Sequence, residues 1–436
     1  MGILRKRMEK CLSSMIDMHK LVIEKTSLLT HIGFFYVFGS NVLNRAVAFL
    51  SNIILVRIIT KTEYGIFAYA WNIYSLLFLF NGMGMDSGVL QLASERGSDE
   101  TYTGSVLGYG IQFGLIFNAF LALIILSIGV IAPLKIEAGR NLLIALSVLP
   151  LIQLTNGLMI CYLRARKRND DFAKLNTISA MLTASMSIIF AYMFHEKGLI
   201  ISYYLTGVTV LFLGIKLYNI PVFTENNLAY NDRKHLIKIA FTSMCCNMLS
   251  QLLYLLDIFV LSIVDPQETI IASYKVATTI PAALSFIPSS VVVCVYPYFA
   301  EHRQDKKWCL RKYTMLMIAN AALNFLISCT LFLFAPILID TIYGKHYLDC
   351  VPIFRILIIN FFLAGSFRIV SGNLLASQRK LHITLLISFI ASSVNVLADY
   401  FFIQKWGAVG AAYATVLVVI VSGVMSTSYF VYTLTH

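Results

Sequence analysis

The chain has 436 residues, of which 58% are apolar and only 13% charged, and its mean hydropathy is +0.77. A soluble protein carries about 25% charged residues, so the composition excludes an ordinary water-soluble domain. The net charge of +12 lies in short loops between long apolar runs rather than on one basic surface. This pattern argues against nucleic-acid binding and is typical of a multi-pass membrane protein.

The N-terminal segment is basic and polar, and the first long apolar run begins only near residue 33. A cleavable signal peptide would place a short apolar core much earlier, before a small-residue cleavage site. We therefore expect residues 1–32 to form a cytoplasmic arm.

Twelve apolar runs are long enough to cross a bilayer core of about 30 Å as helices. A β-barrel would show short alternating strands instead, so the predicted fold is all-α, a polytopic integral membrane protein. The predicted spans are 33–57, 65–93, 104–132, 141–163, 175–194, 199–220, 237–263, 270–299, 313–338, 351–375, 383–403 and 408–433.

The basic residues of the loops predict the orientation. The N-terminal arm and the even-numbered loops, counted with the span ends that adjoin them, carry 23 Lys and Arg residues, and the odd-numbered loops counted in the same way carry 7. Because cytoplasmic loops are enriched in Lys and Arg, both termini are predicted to be cytoplasmic.

The chain also contains a weak internal repeat. "LVRIITKTEYGIFAYA" (55–70) follows span 1 and "VLSIVDPQETIIASYK" (260–275) follows span 7, and a shift of 205 residues pairs Glu63 with Glu268. Two halves of the same topology form a parallel repeat. The prediction is a six-helix bundle at 33–220, a cytoplasmic linker at 221–236 and a second six-helix bundle at 237–436.

Several predicted spans carry a polar stripe on one helix face. Lipid does not accommodate such stripes, so they face protein or a water-filled cavity, where single Ser, Thr or Asn residues commonly link neighbouring helices. Span 10 contributes Asn360 and Ser366. The other stripes contain Asn41, Asn44, Arg45 and Asn52 in span 1, Asn247, Ser250, Gln251, Tyr254 and Asp257 in span 7, and Lys275, Thr278, Thr279, Ser285 and Ser289 in span 8.

Three basic residues inside the spans are candidates for binding an anion. Arg45 lies about 18 Å from either end of its span, too deep to reach the interface, so it is functional or forms a structural ion pair, with Asp86 as the suggested partner. Lys275 lies about 7–8 Å from the outer end of span 8, where its amine could also reach the interface. Arg368 lies nearer the cytoplasmic end of span 10.

The intramembrane carboxylates are candidates for coupling to a proton or sodium ion. Asp86 lies toward the cytoplasmic end of span 2, and Asp257 and Asp399 lie near outer ends. Asp257 is the leading candidate and Asp86 the second. Each could equally pair with a nearby basic residue.

No pattern for covalent chemistry is present. The sequence has no G-x-S-x-G motif, no P-loop and no CxxC or HExxH spacing. We therefore expect no enzyme activity, no cofactor and no metal site.

The segments "RIITKTEYGIFAYA", "SYKVA" and "SGNLLASQRK…NVLADYFFIQKWGAVGAAYATVL" (371–417) resemble the polysaccharide-export branch of the multidrug/oligosaccharidyl-lipid/polysaccharide exporters. The Wzx-type O-antigen flippases are the most similar group. The resemblance implies two six-helix bundles in a V shape around a central cavity.

The cargo implied by the resemblance is undecaprenyl-diphosphate-linked oligosaccharide, flipped to the outer leaflet for O-antigen or other surface polysaccharide synthesis. By position, Arg45, Lys275 and Arg368 are the candidates for its cationic lumen, and Gln91 stands where the family often has a basic residue. Two alternatives remain open. One is an ion-coupled drug/cation antiporter of the same superfamily, and the other a membrane glycan polymerase, which would be expected to show a longer outer loop.

Overall fold

The computed structural model describes residues 34–96, 99–222, 228–378 and 381–435, and every regular element in those ranges is a helix. In the first half the chain forms seven α-helices and one 3₁₀ turn, Asn81–Gly84. The helices are α1 (Phe34–Ile58), α2 (Lys61–Phe78), α3 (Met85–Glu95), α4 (Glu100–Ile131), α5 (Gly139–Leu146), α6 (Leu149–Ala165) and α7 (Asn169–Lys216).

The second half contains eight described α-helices, a 3₁₀ turn at Lys345–Cys350 and a π-helical turn at Ala364–Arg368. The helices are α8 (Tyr230–Val264), α9 (Glu268–Leu284), α10 (Phe286–Glu301), α11 (Lys306–Leu333), α12 (Ala335–Tyr343), α13 (Val351–Leu363), α14 (Ile369–Ser377) and α15 (Leu381–Thr435).

Eight helical segments in the described ranges are long and apolar enough to cross a membrane, or nine if the bent pair α5–α6 is one span. Their outer surfaces are apolar: on α4, Ile116 and Phe120 are each 64% exposed. The same helix turns its glycines inward, which allows neighbouring helices to approach closely. The predicted all-α, multi-pass membrane architecture is therefore confirmed, and the number of twelve spans stays a prediction.

The longest segments of each half, α7 and α15, are hairpins rather than single rods. In α7, Ser187 and Ser202 are joined by a hydrogen bond of 2.9 Å between their hydroxyls. A straight helix would separate residues 15 apart by about 22 Å. In α15, Asn395 and Thr415 both reach the same carboxyl group, that of Asp257. Each segment therefore folds back and contributes two antiparallel arms.

The two reversals have the same backbone conformation. His195 has φ 54° and ψ −133°, and Gly407 has φ 56° and ψ −137°. Three residues later each hairpin has a glycine whose missing side chain leaves room for a carbonyl oxygen. Gly198 lies against Phe190 and Gly410 lies against Phe402.

The halves also pack alike, since α1 lies along α7 and α8 lies along α15. We call the end where α1 begins proximal and the end where α1 is followed by α2 distal. The halves meet at both ends. At the distal end Gly65 of α2 lies against the backbone of Glu268, and at the proximal end Gly88 of α3 lies against Leu236 and Ala240 of α8.

Candidate functional site

A cavity of about 260 Å³ lies within the second half of the chain, between α8, α9, the α13–α14 segment and both arms of α15. Much of its wall is apolar, including Pro281 and Phe361. Its basic lining residues, Lys275 and Arg368, come from different helices. Its other chemically versatile lining residues are Asp257, Tyr274, Asn360, Asn395 and Thr415.

Asp257 is the most heavily hydrogen-bonded group of this cavity. Its side chain is only 6% exposed and accepts three hydrogen bonds. The hydroxyls of Tyr274 and Thr415 each donate to Oδ2 at 2.7 Å, and the amide of Asn395 donates to Oδ1 at 3.2 Å. Three helical segments therefore fix the position of one carboxyl group inside the fold.

A second carboxyl group accompanies it. Asp399 lies one helical turn after Asn395 on the same face of α15, is fully buried, and interacts with the carboxyl group of Asp257. Within the described ranges neither carboxyl oxygen of Asp399 receives a hydrogen bond, and neither does the side-chain oxygen of Asn395. Two carboxylates this close repel each other unless a proton or a cation joins them.

The donor set of this cluster suits a small hard cation. Carboxylate, amide and hydroxyl oxygens are the ligands that such ions prefer. Among the described residues no group of three or more His, Cys, Asp or Glu side chains is placed to hold a metal ion. The cluster therefore fits a proton or a monovalent cation better than a structural transition metal.

Lys275, on α9, lines the same cavity. The helix around it is polar on this face, where Thr278 and Thr279 donate hydrogen bonds to the carbonyl oxygen of Lys275 at 2.7 and 2.9 Å. The amine itself makes no ion pair or hydrogen bond with any described residue. An ammonium in an apolar surrounding is unfavourable without a counter-charge, so this position favours an anionic ligand.

Arg368 reaches the same cavity at a point where the helix is locally underwound. It ends the π-helical turn Ala364–Arg368, and the carbonyl oxygen of Gly365 within that turn accepts a hydrogen bond of 2.7 Å from the amide of Asn320. Such π-bulges occur frequently at functional sites, where they change the direction of a side chain. Lys275 and Arg368, predicted from the sequence, are thus brought together.

Arg45 lies elsewhere. Its side chain is exposed, and its guanidinium lies 5.9 Å from the ring centroid of Phe286. It lines a separate, mostly apolar pocket of about 270 Å³ between α1 and the α9–α10 junction. The suggested ion pair with Asp86 is not formed.

Asp86 lies at a break between α2 and α3. Gly82, Met83 and Gly84 all have positive φ, of 51°, 50° and 78°. The amide of Asn118 holds the break by donating 2.7 Å to Asn81 and accepting 2.7 Å from the backbone of Gly82. One oxygen of Asp86 accepts a long hydrogen bond of 3.4 Å from Asn81, and the other has no partner among the described residues.

Asn41, Asn44, Asn52, Asn247 and Gln251 do not line the cavity of Lys275. Asn44 donates to Ser40 at 3.5 Å and Asn52 to Tyr64 at 3.2 Å, so both act as contacts within the first half. The side chain of Tyr254 lies outside the described part of the structure. The side chains of Asn41, Asn247 and Gln251 are exposed.

Sequence reasoning missed Tyr274, Asn395 and Thr415 as partners of Asp257. One signal was available, since Asn395 and Asp399 are four residues apart on one face of an apolar helix. A second was the pairing of Tyr69 with Tyr274 in the internal repeat. For Thr415 the sequence offers no signal, because its role depends on the reversal at Gly407.

Two solved structures share the fold of this chain. An inward-facing multidrug resistance MATE family transporter of the MOP superfamily is 14% identical, with a TM-score of 0.70 over 89% of this chain and 95% of the transporter. The lipid II flippase MurJ in an inward closed conformation is 15% identical, with a TM-score of 0.71 over 92% of this chain and 87% of MurJ. The chain therefore has the fold of these transporters.

The sequence comparisons give more specific similarities than the fold does. An uncharacterized membrane protein in the cps region of Klebsiella pneumoniae is 24% identical over 379 residues, which are 84% of this chain and 74% of that protein. A family model described as "Polysaccharide biosynthesis protein" matches residues 54–352. The chain belongs to this polysaccharide biosynthesis protein family.

Proposed function

We propose that this protein is a flippase that moves undecaprenyl-diphosphate-linked oligosaccharide from the cytoplasmic to the outer leaflet of the bacterial inner membrane. The observation that carries the proposal is the cavity in which Lys275 and Arg368 share one space with the buried carboxylate of Asp257, which in turn interacts with Asp399. The similarity to polysaccharide biosynthesis proteins supports the class of cargo.

The proposed architecture has twelve spans in two six-helix bundles, at 33–220 and 237–436, in a V shape around a central cavity. The reversals at His195 and Gly407 support this number, since each divides one long helical segment into two arms. The linker at 221–236 joins the bundles on the cytoplasmic side. Both termini are cytoplasmic by the distribution of Lys and Arg, so the proximal end faces the cytoplasm.

The diphosphate of the cargo is the group that Lys275 and Arg368 would bind. Hydrogen bonds between ionised partners are shorter and stronger than neutral ones, and few groups on a lipid-linked sugar other than the diphosphate are anionic. A cavity of about 260 Å³ admits a head-group fragment rather than the whole cargo, so the isoprenoid tail stays in the bilayer. Asn360, on the same wall, offers an amide for sugar hydroxyls.

Asp257, with Asp399, is the proposed coupling site for a proton or sodium ion. A cation bound at these carboxylates changes the charge of the cavity that also contains Lys275, so cation and cargo would influence each other through one electrostatic field. Asp86 is a second coupling candidate in the first half, where its unpaired oxygen lies beside Gly157.

Alternating access requires a contact that opens at the outer side, and the distal end has one. Lys61 of α2 forms an ion pair of 2.7 Å with Asp349, which also accepts a hydrogen bond of 2.8 Å from Ser273. Arg57 donates to the carbonyl oxygens of Thr341 and Ile342. These bonds join the end of α1 and the start of α2 to the 341–349 segment of the second half. We propose that they break when the cavity opens outward.

An ion-coupled drug/cation antiporter is the second candidate, because the buried carboxylates could bind a cationic drug directly. The two functions differ in what Lys275 does. If the amine repels a cationic drug, replacing Lys275 by a neutral residue should improve antiport. If the amine binds a diphosphate, the same replacement should abolish export. A polymerase is not supported by any group that the cavity brings together.

The decisive experiment measures lipid-linked oligosaccharide on each side of the inner membrane in cells that lack the gene and carry a variant. Lys275→Gln and Arg368→Gln should each cause the cargo to accumulate at the cytoplasmic leaflet, to at least about tenfold above wild type, because each loses a charge-assisted contact. The matched control is Arg355→Gln, whose guanidinium lies over the ring of Phe332 outside this cavity. Normal export by inserted Lys275→Gln and Arg368→Gln proteins would contradict the proposal.

A further inference from the structure

A second polar pocket lies at the proximal end, where α3 of the first half meets α8 of the second. Its volume is about 520 Å³. Gln91 of α3 forms one side, and a stripe of side chains on the first three turns of α8 forms the other. The stripe, which we call the α8 basic stripe, consists of Asn231, Lys234, His235, Lys238 and Thr242.

The stripe has a helical register that separates it from the packing face of α8. At 100° per residue its members fall within an arc of about 100°. Leu236 and Ala240 lie on the other side of the helix, against Gly88, where a side chain larger than hydrogen would not fit without movement. One face of this segment thus joins the two halves, and the other presents basic and polar groups.

The basic groups of the stripe have no counter-charge in the described structure. Lys234 and Lys238 are one helical turn apart, and like charges at this spacing destabilise a helix. Neither amine forms an ion pair or hydrogen bond with a described residue, nor does the side chain of His235. The nearest acidic residue on α3, Glu95, is one turn beyond Gln91 and makes no described ion pair with them.

The neighbouring charged residues are engaged in other contacts. Arg233 lies 5.4 Å from the ring centroid of Tyr109 and donates to the carbonyl oxygen of Leu228 at 2.7 Å. Asp232 interacts with the hydroxyl of Tyr102. Neither contact involves the stripe, so its positive charge is not compensated by any residue that the structure describes.

We propose that this pocket binds a phosphate or diphosphate group at the cytoplasmic face and is the site where the cargo head group first docks. Two ammonium groups suit a compact, multiply charged anion, and the amides of Gln91 and Asn231 can donate to its remaining oxygens. Because α3 and α8 belong to different halves, the pocket changes when the halves move. The docking role rests on the proposed flippase function, whereas phosphate binding itself does not.

The experiment measures thermal unfolding of the purified full-length protein in phosphatidylcholine nanodiscs as inorganic pyrophosphate is titrated. Pyrophosphate should raise the melting temperature of wild type, and Lys234→Ala/Lys238→Ala should weaken the apparent affinity at least about tenfold. The matched control, Lys306→Ala/Lys312→Ala, removes two exposed lysines from the same side of the membrane and should behave as wild type. Equal pyrophosphate responses in the two double variants would overturn the proposal.

A second arm identifies the source of the phosphate. In nanodiscs that contain phosphatidylglycerol, lipid head groups that occupy the pocket would suppress the pyrophosphate response of wild type. Suppression would confirm phosphate binding and overturn the docking role. An undiminished response supports the cargo diphosphate as the ligand. Arg368→Gln separates this proposal from the previous one. In that background export is already abolished, yet adding Lys234→Ala/Lys238→Ala should still weaken the pyrophosphate response relative to Arg368→Gln alone.

Discussion

The two halves of the molecule share the backbone conformation of their helical hairpins but not the charged side chains beside them. A shift of 212 residues aligns His195 with Gly407 and Gly198 with Gly410, and the two reversals agree within a few degrees in φ and ψ. The same shift aligns Asp399 with Ser187, a neutral residue whose hydroxyl bonds to Ser202. The shift of 205 residues found in the sequence aligns Asp257 with Asn52.

The repeated hairpins serve folding, whereas the charged cluster belongs to the proposed function. The helical hairpin occurs in both halves, and in each half it satisfies the backbone hydrogen bonds that lipid cannot supply. The charged cluster occurs at only one of the two equivalent places, since a buried carboxylate is costly and is retained where it binds something. We therefore expect substitutions of the repeated backbone to act alike in both halves, and substitutions of the charged cluster to act in one half only.

The largest expected effect, on transport, tests whether the carboxylate cluster acts in the second half only. Asp257→Asn keeps the shape of the side chain but removes its charge, so cation-driven transport should fall at least about tenfold. Ser187→Ala, at the place in the first half that aligns with Asp399, the partner of Asp257, should leave transport near wild type. Transport by both variants in proteoliposomes with an imposed sodium or proton gradient provides the measurement. Equal losses in the two variants would show that the halves share the coupling role.

The next largest effect, on stability, tests whether the two helical hairpins are equivalent. Gly198→Ala and Gly410→Ala each place a methyl group against a carbonyl oxygen of the preceding arm, so both should destabilise the protein by about 2 kcal/mol. Gly372→Ala is the control, because nothing lies within 4 Å of a side chain added there. Thermal unfolding in detergent should show two similar decreases and no decrease for the control. A decrease for only one of the hairpin variants would break the backbone equivalence.

The shared architecture was largely predictable, because membrane helices can be recognised in a sequence by their length and hydropathy. The sequence located the apolar runs and the polar interruption before each reversal, and its weak repeat already paired Tyr69 with Tyr274. It could not show that two arms of α15 converge on Asp257. That convergence depends on one residue, Gly407, whose positive φ turns the chain back.

The candidate site was only partly predictable for a related reason. The sequence grouped Arg45, Lys275 and Arg368 as candidates for one lumen, and the structure places only Lys275 and Arg368 in the same cavity. Depth along a helix is readable from the sequence, whereas the rotation of that helix about its axis is set by packing. The exposed position of Arg45 beside Phe286 follows from the rotation of α1.

A smaller effect on stability is expected from substitutions at the two reversals, where one half has His195 and the other has Gly407. His195 holds a positive φ that favours glycine, and its only described ion pair, with Glu63 at 3.4 Å, is at the surface and weak. His195→Gly should therefore stabilise the protein by about 1 kcal/mol, and Gly407→Ala should destabilise it by at least as much. Melting temperatures of the two variants should move in opposite directions. A decrease for His195→Gly would mean that the histidine side chain contributes more than the strain costs.

The smallest expected effect lies at the helix caps, which are also repeated. Asp99 accepts a hydrogen bond of 3.0 Å from the backbone N–H of Tyr102 at the start of α4, and Asp305 accepts one of 2.9 Å from Trp308 at the start of α11. Asp99→Ala and Asp305→Ala should each lower the melting temperature by about 2 °C. Asp99→Asn should lower it less, because asparagine is also a good N-cap.

The pH dependence of the Asp99 cap has a defined sign. The backbone N–H of Tyr102, together with the hydroxyl of Thr101, lowers the pKa of the Asp99 carboxyl group below its usual value. A group with a depressed pKa contributes stability above its unfolded-state pKa and loses it as the pH falls through the folded value. The difference in melting temperature between wild type and Asp99→Asn should therefore be constant near neutral pH and shrink in acid. A difference that grew on acidification would mean that the aspartate acts through a contact other than this cap.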